Sequence, residues 1–126
     1  MKNKLLALAA GFLVLCQGSA LAADLVDDVK QFRSTNKDAI ADISRIAQQY
    51  IAAGQTKEMV ERYLTAHKFA LHYQPVASDQ PQTLVAVHVE EKGLSSLGFH
   101  DEIRVIVTFE NGLAKTVNGK LIYRAL

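Results

Sequence analysis

The dipeptide Asn111-Gly112 constrains the fold of this chain more than any other feature of its sequence. It separates two runs of alternating apolar and polar residues, 103–110 and 113–125. Asparagine and glycine both tolerate the positive φ that a two-residue type I′ turn requires, so the dipeptide predicts an antiparallel β-hairpin. Continued from this turn, the register pairs Phe109 with Ala114, Val107 with Thr116, and Val105 with Asn118.

The same register, continued further, would place Lys120 opposite Ile103 and bury a charge in the core. One extra residue at Asn118-Gly119 removes the conflict, because it brings Leu121 opposite Ile103 and turns Tyr123 toward the core. Glycine is the residue that a G1 bulge uses at its left-handed position. We therefore predict a β-bulge at Asn118-Gly119.

Two further strands are predicted before the hairpin. Residues 69–74 alternate until Pro75, and residues 84–90 are apolar on both faces, as in a central strand. Short connections make consecutive strands neighbours in a sheet. We expect a four-stranded antiparallel meander whose last strand is an edge guarded by positive charge, from Lys115, Lys120 and Arg124.

Helical spacing dominates the chain before residue 69. Residues 24–33 form a short amphipathic stretch, and one apolar stripe spans 36–53 up to Gly54. Thr56 caps a third stretch that runs to His67. The buried side of that stretch is predicted to hold Met59, Val60, Tyr63 and Leu64. The predicted fold class is α+β, with two to three N-terminal helices packed on one face of the four-stranded meander.

The N-terminus has the three parts of a secretory signal peptide. Two lysines precede an uncharged apolar run at 5–15, and Ala20 with Ala22 supplies a small-x-small cleavage site. The run is shorter than the roughly 20 residues that a membrane-spanning helix needs. We expect cleavage after Ala22, with 1–22 as the signal peptide and 23–126 as a single periplasmic α+β domain.

Lipidation at Cys16 is a second and less expected processing route. Leu15 stands where a lipoprotein signal carries a small residue. If cleavage follows Ala22, Cys16 leaves with the signal, and the fold must be stable without a disulfide.

The charge balance argues against a nucleic-acid partner. Two of the 14 Lys and Arg residues and none of the 13 Asp and Glu residues lie within 1–22, so 12 basic and 13 acidic residues remain and the net charge is −1. A basic excess that could neutralise phosphates is missing. We expect no nucleic-acid partner and no membrane span after signal removal.

The residues that usually carry chemistry do not form a recognisable constellation in the sequence. The stretch 93–98 has one residue too many for a G-x-S-x-G elbow and lies between strands. Strand alternation could place His72 and His88 on the sheet face away from the helices, but two histidines are fewer than the ligands a zinc site needs. The acidic pairs at 27–28, 90–91 and 101–102 are sequence neighbours that point apart. We expect no enzyme activity, no catalytic residues, no metal site and no cofactor.

Two apolar features are candidates for binding a partner. The loop 93–100 carries large apolar side chains where a loop is usually polar, and the uncovered sheet face could expose an apolar strip. The alternative is that the loop folds back and covers this face. The candidate partner-binding residues are Leu94, Leu97, Phe99, His100, Ile106, Val117 and Ile122.

Two short motifs resemble a known family. The stretch Gly54-Gln55-Thr56-Lys57-Glu58-Met59-Val60, with Tyr63-Leu64, is similar to the G-x-T-x-x-x-V-x-x-x-L helix of the SmpA/OmlA (BamE) family. The stretch Val107-Thr108-Phe109-Glu110-Asn111-Gly112 is similar to the last hairpin of that family, and the β-lactamase-inhibitor-protein-like fold has the same order of helices and strands. The resemblance implies a small periplasmic module that docks to another protein.

Three functions remain open from the sequence. The first is an exported, non-enzymatic protein-interaction module that binds another envelope or periplasmic protein in envelope maintenance or assembly. The second is an inhibitor or immunity protein that blocks a partner enzyme, for which 99–102 could be the blocking segment. The third is a periplasmic protein that binds a small ligand or a metal.

Overall fold

A computed structural model describes residues 24–75, 81–90 and 99–125. Its three helices are α1 (Leu25–Thr35), α2 (Ser44–Tyr50) and α3 (Lys57–Ala66), and its five strands are β1 (Ile40–Asp42), β2 (Ala70–Tyr73), β3 (Gln82–Glu90), β4 (Phe99–Glu110) and β5 (Leu113–Ala125). The strands form one antiparallel sheet in the order β1-β5-β4-β3-β2. The predicted signal peptide lies outside the described residues, as do Leu94 and Leu97.

The first and third helices begin where capping residues predict. The Asp24 side chain accepts a hydrogen bond from the Asp27 N–H at 2.8 Å at the start of α1, and the Thr56 hydroxyl accepts one from the Met59 N–H at 3.2 Å at the start of α3. Both contacts satisfy an amide that a helix leaves without an internal partner. Val60 and Leu64 are buried as expected, whereas Met59 is half exposed.

The predicted helix over 36–53 is wrong in its first third. Residues 40–42 instead form β1, which pairs with β5, and α2 begins only at Ser44. The Asp42 carboxylate accepts the Ser44 N–H at 2.9 Å, and the Ile43 N–H donates to the Gly119 carbonyl at 3.0 Å. Pairing with β5 supplies these backbone groups with partners, and this tertiary contact overrides the local helical spacing.

The predicted hairpin turn is confirmed. Asn111 has φ 56° and Gly112 has φ 78°, so both turn residues are left-handed, as a type I′ turn requires. Phe109 pairs with Ala114 and Ile103 with Leu121, both as predicted.

The predicted position of the bulge is wrong. The register shifts between Thr108 and Phe109, so the extra residue is Lys115 and not one of the pair Asn118-Gly119. Thr116, Val117 and Gly119 consequently pair with Thr108, Val107 and Val105. The shift turns Val117 and Gly119 toward the core, whereas the predicted register would have buried the polar side chains of Thr116 and Asn118.

Gly119 lets α2 approach β5 closely. A Cβ at this position would lie 3.1 Å from Ile43 Cγ1 and 3.2 Å from the Ile43 carbonyl oxygen. These separations are shorter than ordinary carbon contacts of about 3.5–4.0 Å. The glycine is therefore needed for space.

The last strand is not the charged edge that we predicted. β1 covers one half of β5, and the segment before α3 covers the other half. There the Gly54 N–H donates to the Ala114 carbonyl at 2.8 Å, and the Ala114 N–H donates to the Gln55 carbonyl at 2.8 Å. The edges of the described sheet are thus β1 and β2.

One hydrophobic core lies between the helices and one face of the sheet. Alternate residues of β4, Ile103, Val105, Val107 and Phe109, are buried as predicted. They belong to the same cluster as the buried side chains of all three helices, among them Leu25, Val29, Ala47, Val60 and Leu64. The architecture is α+β, with five strands instead of the four predicted.

Candidate functional site on the outer face of the sheet

The sheet side chains that alternate with the core residues form a second surface, which we call the outer face. Its central members are Ile40, Asp42, Val85, Val87, Val89, Glu102, Arg104, Ile106, Lys120 and Ile122. The register aligns one row across four strands, Val89-Glu102-Ile122-Ile40. A second row places Val85 beside Ile106.

The outer face exposes apolar surface at the two ends of the first row. Ile40 is 65% exposed and Val89 is 45% exposed, while Ile106 and Ile122 are half-buried between neighbouring side chains. Directly opposed side chains on antiparallel strands have their Cβ atoms about 5 Å apart, so Ile122 and Ile40 form one contiguous apolar pair. Contiguous exposed apolar surface is typical of interaction sites, which makes this pair a candidate contact.

A buried ion network lies at the centre of the outer face. Glu102 is only 7% exposed and accepts hydrogen bonds from Arg104 Nη2 at 2.5 Å and Arg124 Nε at 2.9 Å. Two guanidinium groups surround one carboxylate, and Lys120 stands next to Arg104 in the register. Two guanidinium groups and one ammonium group against this one carboxylate give the centre of the outer face an excess of basic side chains.

Asp42 partly balances this charge at the β1 end. It lies opposite Lys120 in the register. Hydrogen bonds from the Ser44 side chain and backbone, with a smaller contribution from the charge on Lys120, lower the pKa of Asp42. The carboxylate is therefore ionised at neutral pH.

The predicted partner-binding residues are only partly brought together. Ile106 and Ile122 lie on the outer face, as does His100, which is buried in β4 opposite Arg124. Phe99 begins β4 and does not lie in a loop. The placement of Val117 was wrong, because the bulge at Lys115 turns Val117 into the core, where it is 5% exposed.

The sequence did not identify Ile40 as a surface residue. Its helical spacing with Ile43 and Ala47 assigned it to a buried stripe, yet it stands on β1 opposite Ile122. A usable signal was present: Asp42, two residues before Ser44, is a residue type that favours a helix N-terminus over a helix interior. A helix that begins at Ser44 leaves residues 40–42 available to form a strand.

His72 and His88 do not share a face, contrary to our expectation. His72 pairs with Val85 on the outer face, whereas His88 pairs with Ile103 on the core side. His88 Nδ1 is 3.2 Å from the Lys68 carbonyl oxygen, and His88 Nε2 is 3.2 Å from Glu90 Oε1. These contacts tie the start of β2 to the end of β3.

A second ion cluster closes the core at the same end of the sheet. Arg33 Nε lies 3.2 Å from Asp101 Oδ1, and both side chains are largely buried. Arg33 Nη1 also donates to the carbonyls of Asn36 at 3.0 Å and Asp38 at 2.6 Å. Arg33 therefore joins the end of α1, the link to β1 and the start of β4.

Two tyrosine–carboxylate hydrogen bonds connect the helices to their neighbours. The Tyr50 hydroxyl donates to Asp28, and the Tyr73 hydroxyl donates to Glu61. Burial first, and then the hydrogen bond to the carboxylate, raises the pKa of both phenols well above the ordinary value. Both therefore remain protonated donors near neutral pH and act as structural links.

Residues 24–75, 81–90 and 99–125 lack the features of two other kinds of site. Within these ranges no group of three or more His, Cys, Asp or Glu residues could hold a metal ion. None of the helices described there is long and apolar enough to cross a membrane. Comparison of the chain with models of known protein families, with curated proteins and with solved structures found no match.

Proposed function

We propose that this chain is an exported, non-enzymatic protein-interaction module that binds another envelope or periplasmic protein through the outer face of its sheet. The observation that carries the proposal is the row Val89-Glu102-Ile122-Ile40, whose two ends expose large apolar side chains. Apolar side chains beside satisfied polar groups are the composition of a protein–protein interface.

The size of the outer face supports a transient complex. Five strands about 4.8 Å apart span roughly 19 Å, and seven residues along β4 span roughly 20 Å, which gives a footprint of about 400 Å². A standard stable interface buries about 800 Å² on each partner. The outer face alone would therefore support weak, reversible binding.

The charges of the outer face select the kind of partner. The outer face carries three basic side chains against two acidic ones, so it is net positive: Arg104, Arg124 and Lys120 against Glu102 and Asp42. A partner with an apolar centre and an acidic rim would match it, and complementary rim charges mainly raise the association rate. We expect binding to weaken as salt concentration rises.

The proposal includes export of the chain to the periplasm and the absence of catalytic activity. The signal-like pattern of two lysines, the apolar run at 5–15 and Ala20 with Ala22 supports export to the periplasm. The titratable side chains Glu102, Asp101, Tyr50 and Tyr73 make contacts that hold strands and helices together. The likeness to the BamE family stays a prediction, because no comparison tests it.

Charge substitutions at the two exposed apolar ends of the row Val89-Glu102-Ile122-Ile40 test the proposal. Ile40→Glu and Val89→Glu place a carboxylate at each exposed end, and Leu113→Glu is a matched control, because Leu113 is similarly exposed at the far end of β5. Tagged chains are purified from the cell envelope, and each co-purifying protein is quantified by mass spectrometry. We expect both row variants to lose one shared partner by about tenfold, which corresponds to about 1.4 kcal/mol.

The control variant and the melting temperature distinguish a loss of binding from a loss of stability. Leu113→Glu should retain the partner, and all three variants should melt close to the parent. Equal recovery of every co-purifying protein by the parent and both row variants would show that the outer face is not the binding surface.

A further inference from the structure

The described sheet has two edges, β1 and β2, and β2 is the longer of the two. β2 is the last strand in the sheet order, and its residue Gln74 donates its N–H to the Thr83 carbonyl at 2.9 Å. Inward and outward backbone groups alternate along an antiparallel strand. The N–H and C=O groups of Leu71 and Tyr73 therefore point away from β3, and no other described residue forms a backbone hydrogen bond with them.

The outer side of β2 differs from that of β5, which is paired along much of its length. The fold covers β5 with β1 and with the segment before α3, yet it leaves β2 as an edge. An open edge presents a row of donors and acceptors that can pair with another strand. Such pairing is a common way for a protein to bind an extended peptide.

A shallow groove that is largely open to solvent lies beside this edge, between α3 and β2. It has a volume of about 630 Å³ and is lined by Glu58, Glu61, Arg62, Thr65, Ala66 and Leu71. Residues 58, 61, 62 and 65 have the spacing of one helix face, so α3 forms a continuous wall. The turn after α3 holds this wall in place, because Lys68 is left-handed with φ 68° and the Phe69 N–H donates to the Leu64 carbonyl at 3.0 Å.

The side chains of the groove differ along its length. Leu71 and Ala66 make one part apolar. The side chain of Tyr73 lies on the same face of β2 as that of Leu71, and its hydroxyl donates a hydrogen bond to Glu61. Glu58 adds a second negative charge near Tyr73. Two carboxylates and one guanidinium, Arg62, give the lining residues themselves an excess of negative charge. The Lys57 ammonium is not among the lining residues and lies over the Tyr73 ring, 4.7 Å from its centroid.

We infer that the β2 edge and the α3–β2 groove bind an extended peptide segment of another protein, with an aliphatic residue and a basic residue two positions apart. Residues i and i+2 of a strand lie on one face about 6.8 Å apart, the same spacing as Leu71 and Tyr73. An added strand would pair with the outward groups of these two residues. Its aliphatic side chain would contact Leu71 and Ala66, and its basic side chain would reach Glu61 and Glu58. This site is separate from the outer face and does not depend on it.

A titration with a synthetic peptide tests the inference. The probe is a capped five-residue peptide of threonine with valine at position two and arginine at position four, added to isotope-labelled protein while amide NMR signals are followed. We expect saturable shifts at Leu71 and Tyr73. The short edge predicts weak binding, with a dissociation constant of about 1 mM or somewhat below. Methylation of the peptide amides that face β2 should abolish the shifts.

Protein variants locate the site. Thr65→Trp fills the groove from an exposed helix position, and Gln49→Trp is the matched control on an exposed position of α2. The first should remove binding, and the second should leave it unchanged. Glu58→Lys should weaken binding of the arginine peptide by about threefold and strengthen binding of a glutamate analogue, as expected for a surface ion pair.

Three results would overturn the inference. The first is the absence of saturable shifts at any residue up to about 5 mM peptide, beyond the affinity expected here. The second is shifts at Ile40 and Val89 in place of Leu71 and Tyr73, which would assign the peptide to the outer face. The third is a concentration-dependent shift of Leu71 and Tyr73 without peptide, which would make a second copy of the chain the occupant of this edge.

Discussion

Replacing Gly119 by alanine tests whether the approach of α2 to β5 determines this residue. The added Cβ would lie 3.1 Å from Ile43 Cγ1, 3.2 Å from the Ile43 carbonyl oxygen and 3.4 Å from Ala47 Cβ. The Ile43 carbonyl oxygen is a backbone atom that is tied to α2, because it accepts a hydrogen bond from the Ala47 N–H at 3.0 Å. It can move only if α2 moves.

The expected cost follows from two opposing effects. Overpacking of a close-packed site costs about 1–3 kcal/mol. Gly119 is not left-handed, so alanine adopts its backbone conformation and gains about 0.4–1 kcal/mol by restricting the unfolded chain. We expect a net loss of about 1–2 kcal/mol, or roughly 4–16 °C in melting temperature for a domain of this size.

Urea denaturation followed by circular dichroism measures this loss. Truncation of the contacting side chain by Ile43→Ala provides the second arm of a double-mutant cycle. Gly119→Ala should cost less in that background, with a coupling of about 0.5 kcal/mol or more between the two contacting sites. A Gly119→Ala protein as stable as the parent, or more stable, would refute the view that close packing requires glycine here.

Two further predictions concern the ion pairs and the tyrosines. Arg33→Met should destabilise the fold by about 3 kcal/mol in urea denaturation, because it removes the buried ion pair between Arg33 and Asp101. Lys30→Met removes a more exposed pair with Glu90 and should change stability by less than about 1 kcal/mol. Equal losses in the two variants would contradict the role of burial. Tyr50→Phe and Tyr73→Phe should each cost about 1 kcal/mol at neutral pH. Because folding raises both pKa values above the ordinary value of 10.0, the tyrosines stabilise the fold fully below about pH 10 and lose that effect as pH rises through the folded-state pKa. Alkaline denaturation should therefore be shallower in both variants, and an unchanged pH profile would contradict the shift.

The outer face could be predicted only in part, because its membership depends on one bulge. Alternation correctly placed Ile106 and Ile122 opposite the core residues of β4 and β5. Two positions for the extra residue satisfy the pairing of Ile103 with Leu121, and the choice between them decides the direction of Val117. The apolar character of Val117 favoured the position at Lys115, since that register buries a valine in place of a threonine.

The α3–β2 groove could not be predicted from the sequence. Residues 58, 61, 62 and 65 look like the solvated face of an amphipathic helix. They become the wall of a groove only because the turn at Lys68 lays the open edge of β2 beside α3. No local pattern states which strand of a sheet will remain an edge.

By itself, the sequence determined the parts of this protein that depend on neighbouring residues. The turn at Asn111-Gly112, the cap at Thr56 and the alternating strand 103–110 follow from backbone preference, capping hydrogen bonds and period-two burial, all of which act within a few residues.

Only the tertiary structure decided what happens at the edges of the sheet. Residues 40–42 became a strand because the edge of β5 offered unpaired backbone groups, and Gly119 is buried because α2 packs directly on it. These outcomes depend on contacts between residues about 80 positions apart, such as Ile40 with Ile122. Local propensities differ by less than about 1 kcal/mol per residue, so such distant contacts outweigh them.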